Sequence, residues 1–154
     1  MADSVREQIM DAVVTALKTI SRINGYETDV KLVSEQWKGY QNTLPKDIPS
    51  VYPIDTDETK EPGAVGIGAA NDTQAVLTVV CTCIVTAQHN ATRIKRTNLI
   101  RDVEKALVND TSLLGLVEWI EPTTIVTDGG TIVDISIWDQ TFELTYIYNS
   151  TAGG

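Results

Sequence analysis

Residues 73–88, TQAVLTVVCTCIVTAQ, decide the fold. Read alternately, they separate into Ala75, Leu77, Val79, Cys81, Cys83 and Val85 on one side and Val76, Thr78, Val80, Thr82, Ile84 and Thr86 on the other. Successive side chains of a strand point to opposite faces, so this period of two predicts one long strand whose fully apolar face meets a helix layer. The second face mixes threonine with β-branched aliphatics, which suits partial cover by other strands or by another subunit. A single short helix cannot cover a strand of this length, so an overhang into an interface is expected.

Helices are predicted on both sides of that strand. Upstream, Ser4-x-x-Glu7 is a capping-box pattern, and Val5, Ile9, Val13, Ala16, Leu17 and Ile20 follow at three- and four-residue steps. The spacing predicts a helix over 4–23, closed by Asn24-Gly25, with glycine suited to the left-handed position after a helix. Asp11, Lys18 and Arg22 share its polar side, so it lacks the basic face of a lipid-binding helix. Downstream, Leu99, Ile100, Val103, Ala106 and Leu107 form the apolar stripe of a second helix over 91–109, with Arg96, Arg101, Glu104 and Lys105 facing outward.

The rest reads as further strands. Residues 26–37 are extended, with Val30, Leu32 and Val33 turned inward; Pro45 and Pro49 break regularity before a short extended piece at Ser50, Val51 and Tyr52. Pro53 marks an edge or a strand end, because proline cannot donate to a ladder. Beyond the second helix, 117–126, 132–138 and 141–148 read as strands. Asp128-Gly129-Gly130 is a hairpin turn signal, and Phe142, Leu144, Tyr146 and Tyr148 share one face. The expected fold is a two-layer α+β domain over 1–148: a mostly antiparallel sheet of about five strands packed against two helices, followed by a flexible tail over 149–154.

The chain has 154 residues, 42% of them apolar and 21% charged, with a net charge of −9. This is the composition of an ordinary globular domain. The negative balance argues against an outer surface that holds nucleic acid, which needs clustered Lys and Arg to displace counterions. Around a DNA passage the same charge would let a duplex slide without sticking. No run approaches the ~20 apolar residues of a membrane span, and the N-terminus lacks a signal-like apolar core, so a cytoplasmic address is expected.

The chemistry expected of an enzyme is absent from the sequence. Cys81 and Cys83 lie two apart on one strand face, a spacing at which extended backbone disfavours a bridge, and they read as buried thiols. A metal half-site is the alternative. His89 is the only further soft ligand for it, and a structural zinc site wants four. No serine lies in a Gly-x-Ser-x-Gly turn, and Asp55 and Asp57 sit in a glycine-bearing stretch that offers little burial to raise a carboxyl pKa. Neither catalysis nor a cofactor is expected.

Two charged groups stand out. Residues 55–71 combine Asp55, Asp57, Glu58 and Glu61 with Pro62, Gly63, Gly66 and Gly68. They read either as a solvated loop or as a segment ordered only in an assembly, its acids facing a neighbour or a central channel. Gly66-Ile67-Gly68 is too short for a dinucleotide fingerprint. Arg93, Lys95, Arg96 and Arg101 form the basic group. They read as a solvated helix face, as a contact for an acidic neighbouring subunit or as a contact for DNA, although no aromatic interleaving supports the last.

Three local phrases carry a family resemblance. The first helix ends near Gly25-Tyr26 within 20–30. Residues 98–107 have the form Asn-Leu-Ile-x-Asp-Val-x-x-Ala-Leu and are followed by Leu113-Leu114-Gly115-Leu116-Val117. Residues 142–148 end in the alternating aromatics Tyr146 and Tyr148. Together with the order helix, strands, helix, strands, these phrases resemble the tail terminator (tail completion) proteins of long-tailed bacteriophages. The resemblance implies a virion structural protein assembled in the host cytoplasm. Such a protein forms a homo-oligomeric ring, typically of six, on the head-proximal end of the tail tube, stops tube polymerisation and offers a joining surface to the head connector or head-closure protein. It implies no cofactor, and DNA passing through without specific binding. The acidic group and the basic group are then candidates for unlike patches meeting across neighbours. Two alternatives stay open: another neck component, such as a head-closure or adaptor protein, and a non-phage binding module that docks peptides on a strand edge.

Overall fold

In the computed structural model the chain order is α1 (Val5–Lys18), β1 (Leu32–Val33), β2 (Ser50–Pro62), β3 (Asp72–Thr86), α2 (Thr92–Val108), the single turn α3 (Ser112–Gly115), β4 (Trp119–Thr127) and β5 (Ile135–Asn149). The structure describes residues 4–37, 39–62, 72–87, 91–108, 112–129, 132 and 134–149. The five strands form one sheet in the order β1-β2-β3-β5-β4, antiparallel at every pairing except the parallel β1–β2 contact. The result is an α+β fold with the sheet packed against two helices.

The alternation in 73–88 sets the layers. Ala75, Leu77, Val79, Cys81, Cys83 and Val85 are fully buried, and their β5 partners Trp138, Phe142, Leu144 and Tyr146 are buried with them. Ile9, Val13 and Leu17 of α1 and Leu99, Val103 and Leu107 of α2 complete one continuous core. Burying a large aliphatic or aromatic side chain contributes ~1.5–3 kcal/mol, so the shared face of β3 and β5 is a large contributor to stability. On the other face Val76, Thr78, Val80 and Thr82 stay partly exposed. Tyr52, which partners Thr82 in the register and so points to that outer side, is covered by Trp37 at a ring distance of 4.9 Å and reaches Thr43 Oγ1 at 3.2 Å.

Several elements depart from the sequence reading. The helix over 4–23 stops at Lys18, and Gly25, at φ 89°, closes a separate 3-10 turn at Arg22–Asn24. Ser4 does cap α1, its Oγ accepting from Glu7 N at 3.2 Å. The strand over 26–37 contracts to Leu32–Val33, because only Ser50 and Val51 lie alongside to pair with it. The short piece at Ser50–Tyr52 is instead the start of a thirteen-residue strand. Pro53 is tolerated inside it because β1 ends opposite Val51, leaving one side of β2 without a strand neighbour among the described residues.

The acidic stretch is likewise not all loop. Asp55, Asp57, Glu58 and Glu61 lie on β2, all but Asp57 paired with β3, while Gly63, Gly66 and Gly68 lie outside the described residues, as does His89. The separate strands over 132–138 and 141–148 are one strand, Ile135–Asn149. The apparent break at Asp139-Gln140 is bridged because each polar group has a partner. Asp139 accepts from Thr82 on the outer face at 2.7 Å, and buried Gln140 donates to Ile100 O and accepts from Trp138 Nε1, both at 2.9 Å. Asn149 belongs to this strand rather than to a loose tail, and residues 150–154 lie outside the described residues. At the β4–β5 connection Gly129 takes φ 71° and Asp128 N donates to Ile137 O, while Gly130 is outside the described residues.

Candidate functional site

The acids of β2 are divided by a local irregularity. The β2–β3 register shifts between Asp55 and Glu58, a bulge at Thr56 and Asp57. Without it, residues 55 and 58 would point to opposite faces. With it, Asp55 pairs opposite Val79 and Glu58 opposite Leu77, both on the helix side. There α1 supplies Arg6, whose Nε and Nη2 donate to Asp55 Oδ2 at 2.9 and 2.6 Å. Its Nη1 lies 3.7 Å from Glu58 Oε2. The Asp55 hydrogen bond raises the Arg6 pKa.

Glu58 is the centre of this group. Its side chain is 6% exposed, accepts from Tyr146 Oη at 2.9 Å and lies 3.4 Å from Lys60 Nζ, which in turn sits 5.1 Å above the Tyr148 ring. Burial pushes the Tyr146 phenol well above its ordinary range, and the bond to Glu58 adds to the shift. A buried carboxylate is stable only when paired and hydrogen-bonded, and Glu58 has both. Asp55 and Glu58 are therefore engaged within the chain, whereas Asp57 and Glu61 are exposed.

The basic group of α2 is divided too. Arg93, Lys95 and Arg101 are exposed, but Arg96 is half-buried and donates to Ser136 Oγ at 3.0 Å, where the sequence reading turned it outward. Lys95 Nζ donates to Thr86 O, and Arg101 lies 4.0 Å from Glu27 with both side chains well exposed. No contact joins this group to the β2 acids among the described residues.

Two further features were not read from the sequence. Asp102, 3% exposed, accepts from Glu27 N through both carboxylate oxygens at 3.1 and 3.2 Å, tying the segment after α1 to α2. Its signal was its place three residues after Leu99, on the buried stripe. β4 is the sheet edge, and it exposes Trp119, Ile125 and Val126 although its sequence reads as an ordinary strand. Only pairing order reveals an edge.

Among the described residues no group of three or more His, Cys, Asp or Glu is placed to hold a metal ion. Cys81 and Cys83 are free and buried, as expected, and burial pushes the Cys81 thiol up to about 12 and Cys83 well above its ordinary range. Such thiols are poor nucleophiles. An open groove between α1 and β2 is lined by Ser4, Arg6, Glu7, Met10, Asp11, Glu35 and Asp55. No helix among the described residues is long and apolar enough to cross a membrane.

No family model matches the chain, and no curated protein matches it. Among solved structures, a chain from "Virion of native gene transfer agent (GTA) particle" is similar at a TM-score of 0.37 and 13% identity, over 94% of this chain and 92% of that chain.

Proposed function

We propose that this protein is a phage virion structural protein, a tail terminator that caps the head-proximal end of the tail tube as a ring of six. In that position it stops tube polymerisation and presents a surface to the head connector. One observation carries the reading. The three resembling phrases meet in a single frame: Glu27, within 20–30, is bonded through its backbone to Asp102, within 98–107, and α2 packs on β5, which ends in Tyr146 and Tyr148. The frame leaves exposed charge of both signs on separate elements, which suits a head-to-tail ring, where each interface joins two unlike patches. The net charge of −9 suits a passage through which DNA slides without sticking.

The test is electron microscopy of lysates from a phage carrying this gene and from its deletion mutant. Overlong, unjoined tails beside DNA-filled heads are expected on deletion. Normal-length free tails beside empty or leaking heads would move the protein to the head side of the neck, and intact virions would remove the structural role. The exposed β4 edge favours one second reading, a module that docks a peptide strand there; an extended peptide bound with β4 amides protected from exchange, in a chain that never self-associates, would favour it.

A further inference from the structure

The outer faces of two elements carry matching patterns. On α2, Ile94, Arg101 and Val108 recur at two-turn intervals and so share one side of the helix. Ile94 is 59% and Val108 43% exposed, with exposed Arg101 midway and exposed Lys105 beside it. At ~1.5 Å per residue the two apolar ends lie about 21 Å apart. On the outer face of β4, Trp119 and Val126 are 51% and 64% exposed. A bulge between Pro122 and Thr124 keeps both on that face, opposite Thr145 and Asp139, six residues apart on β5, so at ~3.3 Å per residue they lie roughly 20 Å apart.

Between those strand anchors the charge has the opposite sign. Glu121 sits directly opposite Glu143 in the β4–β5 register, on the same outer face, and Val126 sits opposite Asp139. Like charges directly opposed across a sheet are destabilising. No described Lys or Arg pairs with Glu121 or Glu143. The α2 side offers what this patch lacks, a cation, Arg101, flanked by apolar ends at nearly the same separation, while Lys105 already donates to Gly25 O. The loose contact of Arg101 with Glu27 is exposed on both sides and costs little to exchange.

We infer that the outer face of β4 and β5 in one copy of this chain receives the Ile94–Arg101–Val108 stripe of a second copy. α2 lies on the helix side of the sheet and the acidic patch on the opposite side, so the contact cannot form within one chain. It joins unlike surfaces front to back, the kind of interface that closes a ring when the rotation between copies permits. Glu121 and Glu143 take the acidic role expected of residues 55–61, because Asp55 and Glu58 already hold Arg6 and Tyr146. The inference rests on the self-assembly part of the proposed function.

The test is disulfide trapping between two separately purified full-length proteins, one carrying Arg101→Cys and the other Glu121→Cys. The native thiols are buried and do not compete. A cross-linked dimer is expected in the mixture and at most traces in either protein alone. Charge reversal adds a second readout. Arg101→Glu is expected to lower trapping at an Ile94→Cys/Val126→Cys or Ile94→Cys/Trp119→Cys pair at least tenfold, and adding Glu121→Lys and Glu143→Lys is expected to restore it. No cross-link in the mixture, an equal cross-link from Asp57→Cys on β2, or no rescue would each overturn the contact. Overlong tails on gene deletion with no trapped dimer would leave the ring role standing and remove this interface. A trapped dimer with normal tails would do the reverse.

Discussion

Arg6 Nη2 lies 2.6 Å from Asp55 Oδ2, joining the first turn of α1 to β2 across 49 residues of sequence. The contact exists because a bulge turns Asp55 and Glu58 to the same side of the sheet, where one guanidinium serves both. It links the helix layer to the part of β2 beyond the reach of β1.

Arg6→Ala is expected to destabilise the fold by about 1–2 kcal/mol, because it removes two charge-assisted bonds from a half-exposed pair and leaves Glu58 with Tyr146 and Lys60 alone. In a chain of this size that corresponds to a fall of roughly 2–8 °C in melting temperature. An unchanged melt would show that the pair is only a surface contact.

Asp102→Ala is expected to cost about 1–3 kcal/mol, the penalty for leaving the Glu27 amide without its buried acceptor. Hydrogen exchange read residue by residue checks it. The Glu27 amide should lose protection ahead of the β3 core, and protection equal to that of the unaltered chain would sink the assignment.

Stability should fall on the alkaline side. Cys81, Cys83 and Tyr146 all have pKa values raised by burial, so the folded chain keeps protons that the unfolded chain releases. Below about pH 8.5 both states hold them and stability does not respond; above it the unfolded state binds fewer protons, and the folded state is progressively lost as pH rises toward the Cys81 value of about 12. Urea midpoints from pH 7 to 10.5 report the slope. Replacing both thiols by alanine should flatten it, and an unchanged slope would contradict their part in it.

Leu77→Ala should cost about 2–5 kcal/mol, whereas Thr78→Ala, next along the chain but on the outer face, should stay within about 0.5 kcal/mol. Chemical denaturation of the two variants tests the assignment of the faces. Equal losses would mean that the outer face is covered in the isolated chain.

Local patterns carried the α+β class. The period of two in 73–88 fixed the central strand and its buried side, the Ser4-x-x-Glu7 pattern fixed where α1 begins, and the Leu99–Val103–Leu107 stripe fixed the inner side of α2. The candidate site was legible only as composition. The acids of β2 were visible, but the bulge that gathers Asp55 and Glu58 around Arg6 has no local signature, because it depends on the pairing of β2 with β3. Asp139-Gln140 read as a break because polar residues interrupt strands when their partners are unknown. Thr82, Trp138 and Ile100 supply those partners from the other face, from the same strand and from α2.

The sequence by itself determined the buried sides of β3, α1 and α2, since these follow from the spacing of apolar side chains along one segment. Tertiary structure alone decided that β4 is an edge, that β2 continues through its acids, that Asp102 holds Glu27, and that Glu121 faces Glu143. Each of these is set by pairing between segments far apart in the chain, where register, and not the local pattern, chooses which side chains meet.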